Sequence, residues 1–164
     1  MATVHLVCGF LGAGKTTFSR ELAERLGAVR LSVDEIYLRL FSDGPTYDVN
    51  QAALARVFGV LGDLWPEVAR AGADVVLDFS FWERRRRNEA RERARSVGVE
   101  THLYWVRCSD AQAIARCLER NGKSDAFMFS EEGYWTQKAR FEPPEPEEPY
   151  ELVDTERSFS GVAT

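Results

Sequence analysis

The chain has 164 residues, 45% of them hydrophobic and 29% charged, with a formal net charge of -5. That size and balance suit a single globular domain with a sizeable core, and the acidic excess argues against broad electrostatic capture of nucleic acid. No apolar stretch approaches the roughly 20 residues of a membrane span, and strand-like sequence begins at Thr3, so no secretory leader is expected. Cys8, Cys108 and Cys117 lack zinc-type spacing and read as reduced core residues of a cytoplasmic protein.

Thr3–Cys8 is a short apolar, β-branched run and predicts a strand. Gly9-Phe10-Leu11-Gly12-Ala13-Gly14-Lys15-Thr16-Thr17 follows at once and satisfies G-x-x-x-x-G-K-[ST]. Glycines let such a loop turn with positive φ, so that its N–H groups point inward as an anion nest. Phe18, Leu22 and Leu26 recur at helical spacing, and the helix they predict adds its positive N-terminal end. Gly12, Ala13, Gly14, Lys15, Thr16 and Thr17 are therefore the expected phosphate-binding set. Lys15 would reach the outer phosphates and the Thr16 hydroxyl would hold Mg²⁺.

Strand and helix patterns then alternate, which implies a parallel sheet with helices on both faces. Ala28–Leu31 is a second strand; Ser32-x-x-Glu35 has the form of a capping box opening a short helix to about Phe41. A turn is expected at Ser42–Pro45, and Leu54 to Val68 gives a long amphipathic helix that Pro66 should kink. Asp74–Phe79 is the third strand, followed by a helix from about Glu83 to Val97. Val99–Val106 is the fourth strand; Ser109 caps a helix whose expected core face is Ala111, Ile114, Ala115 and Leu118. A further helix is expected from about Ser130 to Phe141, then an extended acidic, proline-rich connector from Pro143 to Pro149, and a last strand from Tyr150 to Val153.

Ligands of open parallel sheets bind beyond the carboxyl ends of the strands. Asp34 and Asp78 fall at such ends, beside the glycine loop. Asp78 closes an apolar run, as a Walker B acid does, and could hold Mg²⁺ through water; it could equally cap a turn. Asp34 is a candidate general base for a hydroxyl acceptor, or simply a first-turn acid favoured by the helix dipole. Arg116 and Arg120 share a helix face and could clamp phosphoryl oxygens, with Gly122-Lys123-Ser124 as a hinge behind them. Arg84–Arg87 spans four consecutive helical positions, so one or two of these residues can reach an anionic substrate group. Tyr37 and Trp82 are aromatic candidates for the substrate pocket.

The glycine loop, Leu31–Ile36, Val75–Trp82 and Ala115–Asn121 together resemble the small P-loop kinases. That group of AAA_33 type includes chloramphenicol phosphotransferase, the kinase domain of polynucleotide kinase, gluconate kinase and zeta toxins. The resemblance spans about residues 3–121. It implies a P-loop NTPase fold, three-layered α/β/α, with a five-stranded parallel sheet of order 2-3-1-4-5. It also implies ATP with Mg²⁺, Asp34 as base, Arg116 and Arg120 as lid arginines, and Arg84 or Arg87 nearest the acceptor. Residues 1–164 are then expected to be one kinase domain with a lid at about 122–140.

The glycine loop also looks like that of CobW-type metal-chaperone GTPases. Those proteins carry a cysteine-rich metal motif and an Asn-Lys-x-Asp guanine reader, and this sequence has neither. The expected activity is phosphoryl transfer to a hydroxyl of a small molecule, a metabolite or an antibiotic. Transfer to a nucleic-acid 5′-hydroxyl and a nucleotide-dependent, toxin-like regulator stand as alternatives.

Overall fold

Fully covered parallel strands need side chains that are apolar on both faces. Val4, Leu6, Val7, Val75, Val76 and Leu77 meet that need at 0% exposure. In the computed structural model, which describes residues 2–41, 49–123 and 126–156, they lie at the centre of one sheet. Its strands are β1 (Thr3–Cys8), β2 (Val29–Ser32), β3 (Val75–Asp78), β4 (Glu100–Arg107) and β5 (Glu151–Asp154). The order is β2-β3-β1-β4-β5, with every pairing parallel, as the resemblance implied. Leu6 pairs with Leu77 on one side and Leu103 on the other.

The two-residue period of the strands divides the core. Leu6, Leu31, Val75 and Leu77 pack with α2 (Val33–Phe41), α3 (Gln51–Arg70) and α4 (Arg84–Ser96) through Leu38, Val57, Leu61, Trp65, Ala90 and Ala94. Val7, Val76, Tyr104 and Val106 pack on the other face with Leu22 and Ala23 of α1 (Lys15–Leu26). Helix α3 runs through Pro66 without a break. Cys8, Cys108 and Cys117 are free thiols; Cys8 and Cys117 are buried, and Cys108 is only partly so. Burial pushes the Cys8 thiol up to about 12. Among the described residues no helix is long and apolar enough to cross a membrane. The turn expected at Ser42–Pro45, and Ser124 of the expected hinge, lie outside the described residues.

Two expectations need correction. The core face of α5 (Asp110–Glu119) is Ala113 and Cys117, while Leu118 is 46% exposed. Small residues face inward because α5 lies directly against the loop after β1: a Cβ at Gly12 would sit 2.2 Å from the Ala113 carbonyl oxygen. The capping box at Ser32 is only half formed. The Glu35 N–H lies 3.5 Å from Ser32 Oγ, but the Glu35 carboxylate turns away to Arg30 and Arg20.

After α6 (Glu131–Lys138), the acidic connector lies extended along α4 and is held by its arginines. Arg87 is 0% exposed and grips Glu148 with two bonds, at 2.9 and 2.6 Å. Arg91 adds a third at 2.9 Å. Arg84 pairs with Glu145, and its N–H donates to Glu142 Oε2 at 2.7 Å. Burial alone would raise the Glu148 carboxyl, but the bonds from Arg87 and then Arg91 hold it at about 2, below its ordinary 4.5.

Glu148→Ala would strand the buried Arg87 guanidinium. Breaking such a pair costs about 3–5 kcal/mol, so the calorimetric Tm should drop by roughly 6–20 °C at about 2–4 °C per kcal/mol. A drop below about 2 °C would show the contact to be dispensable. Because the folded value lies below the unfolded one, this stabilisation is complete above pH 4.5 and is lost as pH falls toward 2.

Candidate active site

The loop after β1 is shaped by contact as well as by conformation. Gly12 has φ +70° and Gly14 φ +96°, left-handed values that side chains resist. A Cβ at Gly9 would lie 2.4 Å from the Val106 carbonyl oxygen, so the loop runs hard against β4. Gly14 caps α1 with no side-chain hydrogen bond, and the first turn of α1 holds no acid. The positive helix end is thus left for an external anion, which is the chemistry a phosphate needs. Lys15 is buried, and its Nζ donates to the Phe10 carbonyl at 2.8 Å, arching over the loop. Thr16 is half-buried and Thr17 exposed. These oxygen donors suit a hard cation such as Mg²⁺.

The strand order brings the carboxyl ends of β2, β3 and β1 side by side. Asp78 ends β3 at 6% exposure, and its Oδ2 accepts from Arg30 at 2.8 Å. Asp34 stands in the first turn of α2, directly after β2. Asp34 is exposed. Desolvation pushes its carboxyl up, Lys15 draws it down, Asp78 pushes it up again, Arg120 draws it down and Glu35 pushes it up. Asp34, Lys15, Asp78 and Arg120 therefore share one electrostatic neighbourhood.

Arg116 occupies the far flank of the loop. Its Nη1 donates to Thr155 Oγ1 at 2.9 Å and lies 3.4 Å from the Gly12 carbonyl, and its Nη2 donates to the Thr155 carbonyl at 3.3 Å. Thr155 in turn donates to the Ala13 carbonyl at 2.9 Å. Trp82 touches the loop as well: its Nε1 donates to the Gly9 carbonyl at 3.2 Å, and its ring lies 4.9 Å from Phe10.

Three of the expected substrate contacts are engaged elsewhere. Tyr37 is 2% exposed, and its hydroxyl accepts from the Asn50 N–H at 2.9 Å, so it is a core residue that fixes the start of α3. Arg87 is enclosed by Glu148 and by the carbonyls of Phe81 and Glu142. Arg84 is turned to Glu142 and Glu145. An arginine run marks positive charge, and nothing in that run shows that an acidic segment 61 residues later will claim it.

Sequence reasoning missed four features. Ser80 and Phe81 both have positive φ, 64° and 47°, at a cost of about 1–2 kcal/mol per residue. This left-handed pair lets the Ser80 carbonyl accept from the Gly9 N–H at 3.2 Å and delivers Trp82 to the loop. Arg30 and Ser19 were unremarkable in a strand and a helix, yet both touch Asp78. Thr155 was hidden in a terminal segment. Phe10, within the loop itself, is the seat for Tyr134 of α6, ring to ring at 4.9 Å.

This combination of sheet order and loop defines a nucleotide-binding P-loop domain of kinase type. The chain belongs to the AAA_33 family (AAA domain), whose model matches residues 4–144. Similar solved structures include a protein assigned provisionally as a kinase from Chloroflexus aurantiacus, with a TM-score of 0.75, 19% identity, and coverage of 94% of this chain and 88% of that one. A gluconokinase from Sinorhizobium meliloti has a TM-score of 0.64 at 20% identity, covering 93% and 82%. Kti12 from Chaetomium thermophilum, solved with ADP-AlF3, has a TM-score of 0.65 at 15% identity, covering 98% and 100%. No curated protein sequence matches the chain. At these identities the likeness is one of fold.

Asp34→Asn tests the electrostatics of the cleft. A carboxyl raised in the folded state stabilises fully below its unfolded value of 3.8, and that contribution is lost as pH rises through the folded value. The variant should therefore melt above wild type at pH 8, by about 1–4 °C given water screening in the cleft. The difference should shrink as pH falls toward the ordinary carboxylate range. A variant that melts below wild type at pH 8 would contradict the arrangement.

Proposed function

We propose that the protein is an ATP-dependent phosphotransferase that moves the γ-phosphoryl group to a hydroxyl of a small molecule. The observation that carries this reading is that the sheet order sets the phosphate loop after β1, Asp34 after β2 and Asp78 at the end of β3 at the carboxyl ends of three neighbouring strands. MgATP would supply an electrophilic phosphoryl group. Gly12, Ala13, Gly14, Lys15, Thr16 and Thr17 hold its phosphates, and the Thr16 hydroxyl and, through water, Asp78 face the cation. Asp34 takes the acceptor hydroxyl proton as its oxygen bonds to phosphorus and ADP departs. Lys15 and Arg120 offset the charge that builds on the transferred group. Arg116 adds its charge from the far flank while bracing the loop through Thr155.

Residues 1–164 form, in this reading, one kinase domain of the cytoplasm, with 122–140 as its lid. The seating of Tyr134 on Phe10 supports a lid that closes directly on the loop. The likeness to a gluconokinase favours polyhydroxylated compounds as first acceptors to try. Within the run Arg84–Arg87, the pairing of Arg84 and Arg87 with acidic residues weighs against a nucleic-acid 5′ end as acceptor.

A panel of sugars, sugar acids and antibiotics, scored for ADP release above the acceptor-free rate, tests the proposal. With a working acceptor, Asp34→Ala should lower kcat by about 10²–10⁴ while MgATP binding stays within a few-fold. Lys15→Ala should abolish detectable transfer with the fold intact. An Asp34→Ala enzyme as fast as wild type would remove Asp34 from the chemistry. One other reading stands beside this one, a nucleotide-dependent regulator without a small-molecule acceptor; the Kti12 neighbour, solved with ADP-AlF3, shows this fold with a nucleotide and names no acceptor. That reading predicts a partner protein retained with a non-hydrolysable ATP analogue and released with ADP, and no acceptor in the panel.

A further inference from the structure

We propose that Arg30, in β2 and outside the phosphate loop, is the positioning residue that sets Thr16, Asp34 and Asp78 in register; this rests on the function proposed above. Its guanidinium reaches three separate elements. Nε donates to Ser19 Oγ of α1 at 2.7 Å. Nη1 donates to Glu35 Oε2 of α2 at 2.9 Å, and Nη2 to Glu35 Oε1 at 3.0 Å. Nη2 also donates to Asp78 Oδ2 of β3 at 2.8 Å.

Each partner stands next to a residue of the proposed chemistry. Ser19 Oγ lies 3.0 Å from the Thr16 carbonyl oxygen and 3.1 Å from Asp78 Oδ2, and its one proton goes to one of them. Glu35 is the neighbour of Asp34 in the first turn of α2, and a second arginine, Arg20, steadies it from outside at 2.6 Å. Asp78 is held directly. Arg30 holds one oxygen of the Asp78 carboxylate, and its bidentate grip on Glu35 fixes the turn that carries Asp34.

The Arg30 side chain is 13% exposed and that of Asp78 is 5%, so solvent screens their contact little, while Glu35, at 31%, is more open. A planar fork with several donors can span acceptors on three elements; a single ammonium cannot reproduce it. Arg30→Lys therefore keeps the charge and removes the registration. Partners that orient groups around a metal are typically worth 10–100-fold in metal affinity.

Titration of a non-hydrolysable ATP analogue by calorimetry, in EDTA and in saturating Mg²⁺, tests this. Wild type should bind more tightly with Mg²⁺. Arg30→Lys should bind within about twofold of wild type in EDTA and lose about tenfold or more of the Mg²⁺-dependent gain. Ser19→Ala should lose a smaller part of that gain. If Arg30→Lys does not fold, Ser19→Ala decides: a partial loss of the Mg²⁺-dependent gain supports the inference, and the full gain retained overturns it. A folded variant that melts lower but keeps the full Mg²⁺ gain would make the cluster a purely structural knot and overturn the inference. A wild type with no Mg²⁺-dependent gain would overturn the proposed function, and this inference with it.

Discussion

Helix α5 meets the phosphate loop backbone to backbone at Gly12, and the rest of the site follows from that approach. A Cβ at Gly12 would lie 2.2 Å from the Ala113 carbonyl oxygen, so there is no room for any other residue. The contact requires small residues on the inner side of α5, which is why Ala113 and Cys117 face in and Leu118 faces water. It also sets the rotation of α5. Arg116 is thereby delivered to the loop and to Thr155, and Arg120 to the side of the cleft where its charge acts on Asp34. The positive φ values at Gly12 and Gly14 and the uncapped start of α1 complete a concave surface suited to an anion.

Sorting of the arginines is the second organising feature. Arg87, Arg84 and Arg91 bind the acidic connector to α4, and Arg87 also holds the carbonyl of left-handed Phe81. Arg30 joins β2 to Asp78, Glu35 and Ser19. Buried ionised groups persist where their donors find acceptors; Arg87 and Arg30 find them in carboxylates, carbonyls and a hydroxyl, whereas Arg91 Nη2 is buried without a partner among the described residues. What remains in electrostatic contact with Asp34 is Lys15 and Arg120. Positive charge is thus concentrated on the phosphate side, and the run Arg84–Arg87 serves the scaffold at its first and last positions.

Much of this was legible in the sequence because it rests on local rules. The glycine loop states its own conformation, and the apolar runs ending at Cys8 and Asp78 state buried parallel strands. Ser109 and Ser130 are found as caps, each accepting from the backbone three residues on. The extended acidic connector followed from its prolines. What escaped depends on tertiary partners. Helical spacing places Arg87 on a face without saying that Glu148 will cover it, and Tyr37 looks like a pocket aromatic until Asn50 claims its hydroxyl. The left-handed pair Ser80 and Phe81 carries no glycine or asparagine to announce it; the carbonyl contacts of Arg87 and the Gly9 N–H stabilise it. Arg30 looked like one polar residue in a strand because its three partners come from 19, 35 and 78.

The central claim is geometric: phosphate loop and Asp34 face one reacting phosphorus. A crystal structure with Mg²⁺, ADP and aluminium fluoride measures it most directly. The account predicts the planar fluoride between Lys15 and Asp34, with Thr16 on the cation and Arg120 turned toward the fluoride. Fluoride bound in the loop with the Asp34 carboxylate turned away from it, or nucleotide bound away from Gly12–Thr17, would contradict it.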